Sequence, residues 1–249
     1  MGELTTAADL PLTDERRRAV RSQALSVGIA TGMYGVSFGA LSVASGLSIP
    51  QTQALSALLF SGGSQFAVVG VIAAGGSAAS AIATSTLLGI RNGLYGLQVA
   101  RFVTARGPRR LVAAHLTIDE STAVGIAQDE PPAQRLGFWI TGIAVFIGWN
   151  LMTLVGAIVG NALGKPQTWG LDAAAAAAFC ALLWPRLRSG DGRATAVLAA
   201  FIAIITLPLV PAGIPVILAA LAAVVVGWVG PGKHEDPSTD GLPGSDPLP

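Results

Sequence analysis

The sequence predicts an all-α protein, a polytopic transmembrane helix bundle of six to seven apolar segments with at least one broken or re-entrant helix. Three observations carry that expectation. Of 249 residues, 52% are hydrophobic and only 12% charged, with a mean hydropathy of +0.62, against roughly 25% charge in soluble domains. The charges are confined to the tails and a few short loops, and none falls between Arg21 and Arg91. Near the middle of that uncharged run stands Gly62-Gly63, which costs a helix interior roughly 2 kcal/mol relative to Ala-Ala. In lipid the backbone groups freed by a break must find partners or line a water-filled cavity.

Residues 1–22 read as a disordered, cytoplasmic tail, because Arg16-Arg17-Arg18 and Arg21 immediately precede the first apolar segment and basic flanks stay inside. The first ten residues lack the apolar core of a secretory signal. Ser22 to Ile90 would measure about 100 Å as continuous helix, or roughly three crossings of a 30 Å core. Ser48-Ile49-Pro50 and Gly75-Gly76-Ser77 punctuate it into segments near 23–46, 51–75 and 78–100. The loop that follows carries Arg101, Arg106, Arg109 and Arg110 and belongs in the cytoplasm, whereas three full crossings would place it outside. A segment that does not cross removes the conflict, and the Gly62-Gly63 segment is the one expected to be re-entrant.

Residues 111–128 are amphipathic and too short and polar to span, so they lie at the interface or dip into the protein. Leu136 to Gly164 is a second uncharged run, with Trp139 and Trp149, and has length to spare for a tilted span. Asp172 opens a short apolar stretch that stops at Pro185, before Arg186, Arg188 and Arg193. Ala194 to Gly232 is split by Pro208, Pro211, Gly213 and Pro215 into two spans with an external turn. The tail 231–249, rich in Pro, Asp and Gly, reads as disordered. The transmembrane domain is thus 23–230. Cys180, the only cysteine, permits no intrachain disulfide and reads as a buried structural thiol.

The composition excludes several functions. No G-x-x-x-x-G-K-[ST] loop or soluble ATPase module is present, no basic patch interleaved with aromatics suggests nucleic acid, and no cofactor or metal is called for. Gly62-Gly63-Ser64-Gln65 fits an intramembrane serine protease superficially, but His115 falls in a loop region and His234 in the tail, leaving the serine without a base.

The candidate site residues are Ser61, Gly62, Gly63, Ser64, Gln65, Arg91, Asn92, Tyr95, Asp119 and Glu120. Small residues at 61–65 serve close helix packing or a half-helix N-terminus that holds a carboxylate. Arg91 either snorkels from the helix end or faces a functional interior, with Asn92 and Tyr95 nearby. Asp119 and Glu120 sit either in a solvated turn or inside the bundle, where a carboxylate can hold an ammonium or exchange a proton. Asp172 reads as a helix cap and Asn150 as interhelical glue.

Val36-Ser37-Phe38-Gly39 with Ala44-Ser45-Gly46-Leu47-Ser48, then Phe60 to Phe66, Arg91 to Tyr95, Leu116-Thr117-Ile118-Asp119-Glu120-Ser121, and Gly170-Leu171-Asp172 with Pro185 occur in an order that resembles the AzlC family over roughly residues 22–230. That family comprises the large subunit of bacterial branched-chain amino-acid exporters. The resemblance implies secondary efflux of Leu, Ile and Val, with Met as a further candidate, across the bacterial inner membrane, together with a small AzlD-type membrane subunit and without enzymatic activity. The alternatives are an accessory or structural membrane subunit, or a transporter of another small solute. Similar proteins carry His after the arginine where this chain has Asn92, which shifts any proton-carrying role to Asp119 or Glu120.

Overall fold

The computed structural model describes residues 12–163, 180 and 183–229. Every regular element among them is helical. The expected cap at Asp172, most of the short stretch after it, and the tail 231–249 lie outside the described residues. Cys180 is exposed, not buried as its apolar neighbours suggest.

Helix α1 (Asp14–Met33) starts well before the apolar run, so residues 14–22 are helical and not part of an unstructured tail. The cause is local. Thr13 is extended (φ −61°, ψ 153°) and its hydroxyl accepts the Arg16 N–H at 3.2 Å, while Asp14 and Glu15 occupy the first turn, where carboxylates offset the positive end of the helix dipole. Helix α2 (Gly35–Ala44) continues α1 with only Tyr34 between them, itself in helical conformation. The combined rod, Asp14–Ala44, has 31 residues, or about 46 Å at 1.5 Å per residue.

Helices α3 to α8 are Ile49–Leu58, Gly62–Ala73, Ala78–Val99, Pro108–His115, Asp119–Ile126 and Pro131–Leu163. Among the described residues, the α1–α2 rod and α8 are the two helices long and apolar enough to cross a membrane. They lie side by side and in parallel: Gly28 meets Ala144, Gly32 meets Gly148, Gly39 meets Thr153 and Ala157, and Gly160 meets Ala40. A Cβ on Gly32 would stand 3.1 Å from the Gly148 backbone, and one on Gly39 or Gly156 would collide with the carbonyl oxygen of Thr153 or Val36. Small residues let the two backbones touch, which is how helices gain packing energy where lipid solvates larger apolar side chains equally well.

Because the two rods run in parallel, their N-termini share one end of the bundle. Arg16 pairs with Asp129 at 3.8 Å, the Gln128 amide donates to Gln23 Oε1 at 3.0 Å, and Arg135 Nε donates to the Phe102 carbonyl at 2.7 Å. The N-terminal arginines, the loop from Arg101 to Arg110 and Arg135 therefore gather at the same end, hereafter the arginine end.

The chain between the rods makes two V-shaped excursions. Helix α3 enters from the remote end, where Ser48 and Gln51 form a reciprocal capping box and Pro50 occupies the first turn. It descends along α8, with Ser56 on Thr153 and Phe60 on Phe146. Helix α4 climbs back beside α5, Gly63 next to Arg91 and the Ser64 hydroxyl on the Ser85 carbonyl. The chain then turns at Gly75 (φ 72°) into α5, capped by Ser77. Leu59–Ser61 form the apex, one residue before the glycine pair, which lies inside the first turn of α4. Fully buried Gln65 ties the arms together by donating to the carbonyls of Leu55 (3.4 Å) and Ser56 (3.1 Å) in the last turn of α3.

Helix α5 carries the chain back to the arginine end. There α6 and α7 make the second V, with its apex at Leu116–Ile118: Leu116 packs on Gly142, and α7 returns along α8 with Val124 on Gly137. The amphipathic stretch thus dips into the protein and breaks, a second interruption that the sequence pattern does not mark. Helices α9 (Gly190–Thr206) and α10 (Ile214–Val229) follow a 3-10 turn at Trp184–Arg188. Thr84 Oγ1 donates to the Gly213 carbonyl at 3.2 Å, which seats the proline-rich turn between α9 and α10 at the remote end.

Candidate solute-binding site

The two V apices approach each other in mid-bundle. The rings of Phe60 and His115 are 5.6 Å apart, and both pack on Phe146. Beside this aromatic contact lies a cavity of about 220 Å³, lined by Ser61, Gly62, Gly63 and Phe66 from the first V, Ile118, Asp119 and Glu120 from the second, Arg91 from α5, and Thr31, Tyr34 and Trp149 from the rods. It is smaller than the roughly 300–1,000 Å³ of pockets for drug-sized ligands, and so suits a small solute.

The apices differ in how their backbone is satisfied. At the second, Ser121 accepts the Ile118 N–H and donates to the Leu116 carbonyl, while the Thr117 hydroxyl returns to the Ala113 carbonyl. At the first, Ser61 has the extended conformation of an N-cap, yet no side chain caps α4 and the Ser61 hydroxyl is buried without a partner. The N-terminal N–H groups of α4, which a helix cannot satisfy internally, are left at the cavity wall. Thr13, Ser48, Ser77 and Ser189 do cap α1, α3, α5 and α9.

Arg91 reaches across from α5 and pairs with Asp119 through Nη2 and Oδ2 at 2.8 Å. The arginine thus meets a carboxylate from the second V, and both side chains keep about one-third of their surface exposed. The pair uses one oxygen and one nitrogen: Arg91 Nε and Asp119 Oδ1 are both buried without a hydrogen-bond partner, as is Trp149 Nε1. Arginine and carboxylate can bond through two parallel contacts, so this single contact leaves capacity on both partners. Gly63 makes room for it, since a Cβ there would stand 2.9 Å from Arg91 Nη2, whereas one on Gly62 would meet Trp149 at an ordinary 3.6 Å.

Of the ten residues singled out in the sequence, the cavity gathers Ser61, Gly62, Gly63, Arg91, Asp119 and Glu120. It does not include Ser64 or Gln65, whose polar groups hold α4 to α5 and α3, nor Asn92. Tyr95 lines a separate groove on the other side of the ion pair, with Arg91 and Asp119 common to both walls. Sequence reasoning missed Thr31, Tyr34, Phe66, Ile118 and Trp149 as lining residues; Trp149 beside Asn150 in mid-run, and Phe66 directly after the polar stretch, were the available signals. His115 ends α6 and does not lie in a loop, and it reaches the ring next to Ser61. The serine of the Gly62-Gly63-Ser64-Gln65 match is Ser64, whose hydroxyl donates to the Ser85 carbonyl at 3.0 Å. No group of three or more metal-ligating side chains occurs among the described residues.

A bundle that is helical in every regular element of the described residues, with two rods of membrane-crossing length beside a small cavity that has unpaired polar groups and aromatic rings in its lining, is consistent with the class of helical membrane proteins. The chain belongs to the AzlC family: the family model described as AzlC protein matches residues 26–163, more than half of its length. This is a family of membrane proteins associated with branched-chain amino-acid transport. The match ends where α8 ends, so Gly170-Leu171-Asp172 and Pro185 fall outside it. Among curated proteins and solved structures nothing matches.

Proposed function

We propose that the chain is the large subunit of a two-component secondary exporter that carries Leu, Ile and Val, with Met as a further substrate, out across the bacterial inner membrane. In this reading the six or seven apolar segments divide into spans and two re-entrant Vs, one entering from each side, and the cavity between their apices is the substrate site. The observation that carries it is the meeting of the two helix breaks at one small cavity. Its polar wall (the N-terminus of α4, Ser61, Arg91, Asp119, Glu120) suits a charged amino-acid backbone. Phe66, Ile118 and Trp149 suit an aliphatic side chain. Helix breaks near the bilayer midplane are where transporters hold small zwitterions.

A small AzlD-type membrane subunit completes the transporter in this proposal. Faces rich in Gly, Ala and Ser gain stability in lipid only when another helix packs on them. Cells loaded with labelled leucine test the reading: efflux should rise when chain and small subunit are expressed together and stay low with the large chain alone. Full leucine efflux from the purified large chain reconstituted by itself would remove the two-component part, and absence of efflux with both would favour another solute or an accessory role.

A further inference from the structure

The Arg91–Asp119 pair stands between two spaces. On one side is the central cavity. On the other is a groove formed by α5 and α7, lined by Tyr95, Gln98, Thr122 and Ile126, which follows both helices toward the arginine end. Arg91 and Asp119 belong to both walls, and the pair joins a full-length helix to the apex of the second V. Its single 2.8 Å contact leaves Arg91 Nε and Asp119 Oδ1 buried and unpartnered. The same cavity is lined by Ser61, a residue 7% exposed whose hydroxyl is unpartnered, and by Gly62 and Gly63 at the uncapped N-terminus of α4, with Gly63 directly beside the Arg91 guanidinium.

We propose that this ion pair is a gate between groove and cavity, and that a zwitterion opens it by replacing each partner with the opposite end of itself. The solute carboxylate takes Arg91, assisted by Ser61 and the α4 N–H groups, and the solute ammonium takes Asp119, with Glu120 beside it. Each side chain of the pair is about one-third exposed, and a charge so largely removed from water is costly to leave alone. A solute with only one charge would free one member of the pair and strand the other, whereas a zwitterion satisfies both at once. Selectivity for the α-amino-acid backbone is then a property of the pair, separate from selectivity for the side chain. The inference rests on the cavity being the substrate site, as proposed above.

The test uses the purified full-length chain and three probes that share one carbon skeleton: leucine, 4-methylpentanoate (leucine without its amine) and 3-methylbutylamine (leucine without its carboxylate). Binding is measured by calorimetry. The wild-type chain should bind leucine at least tenfold more tightly than either single-charge probe. Asp119→Asn frees Arg91 and should raise 4-methylpentanoate at least tenfold relative to leucine; Arg91→Gln should do the same for 3-methylbutylamine. Unchanged ratios in both variants would overturn the proposal, as would wild-type binding of the single-charge probes equal to that of leucine. Should either single variant fail to fold with an unpaired charge, Arg91→Gln/Asp119→Asn together leaves none. Leucine affinity in that double variant should fall at least tenfold, and wild-type affinity would overturn the gate. If the ratios shift as expected but the chain prefers serine or another unbranched amino acid to leucine, the gate stands and the branched-chain reading fails.

Discussion

In the proposed transport reading, Asp119 and Glu120 are the residues that supply the cavity's negative charge. A neutral amide can neither hold an ammonium nor carry a proton at physiological pH, so Asp119→Asn and Glu120→Gln should each lower leucine efflux at least tenfold or change its pH dependence. Wild-type efflux in both would return these side chains to a structural role. The glycine pair separates in the same way. Gly63→Ala drives a methyl into Arg91 Nη2 and should break the 2.8 Å pair, while Gly62→Ala makes only ordinary contact with Trp149. Efflux should therefore fall much further for Gly63→Ala than for Gly62→Ala, and equal losses would mean that cavity volume, not the pair, is what Gly63 protects. At this scale the sequence was partly legible. Charges inside apolar runs are expensive, which singled out Arg91 and Asp119, but nothing in the pattern says that they meet, because contact between residues this far apart is set by where the second V turns.

The first break was legible and the second was not, for a physical reason. Gly62-Gly63 lowers helix propensity where no charge intervenes, and the chain does break there, displaced to Leu59–Ser61 because an N-terminal first turn accommodates glycine better than a helix interior. Leu116-Thr117-Ile118 contains no glycine or proline; its break is stabilised by side-chain hydrogen bonds from Thr117 and Ser121, which leave no signature in hydropathy. Ser121→Ala removes the group that serves both the Ile118 N–H and the Leu116 carbonyl. It should cost about 1–3 kcal/mol, the penalty of leaving buried backbone groups unpaired, read as a lower unfolding midpoint in detergent. An unchanged midpoint would show that the apex is held by packing alone. Gln65 has the equivalent post in the first V, so its Ala variant is expected to loosen α3 from α4 without touching the cavity lining.

For the whole molecule, the clustering of Arg16–Arg21, Arg101–Arg110 and Arg135 at one end is what the positive-inside rule expects of segments that share the cytoplasmic side. A cysteine at exposed Thr104, in a Cys180→Ser background, should therefore resist an impermeant thiol reagent applied to intact cells and react after permeabilisation. Thr104 is the better reporter than Gly107, whose φ of 57° disfavours any side chain. Labelling from outside would invert the topology. The count of crossings was the least legible feature, since hydropathy measures how apolar a stretch is and not whether its two ends emerge on the same side. The seam between the α1–α2 rod and α8 bears on the order of assembly. It is formed by residues more than a hundred positions apart and closes with glycine, which has no rotamers to surrender, so little opposes closure except the wait for the second rod. The first rod leaves the ribosome early and must persist with a bare glycine face until Pro131–Leu163 emerges, while both Vs thread in beside it. A chain truncated before Pro131 would keep that face exposed to cellular quality control, and its half-life in cells should be far shorter than that of a chain ending after Leu163.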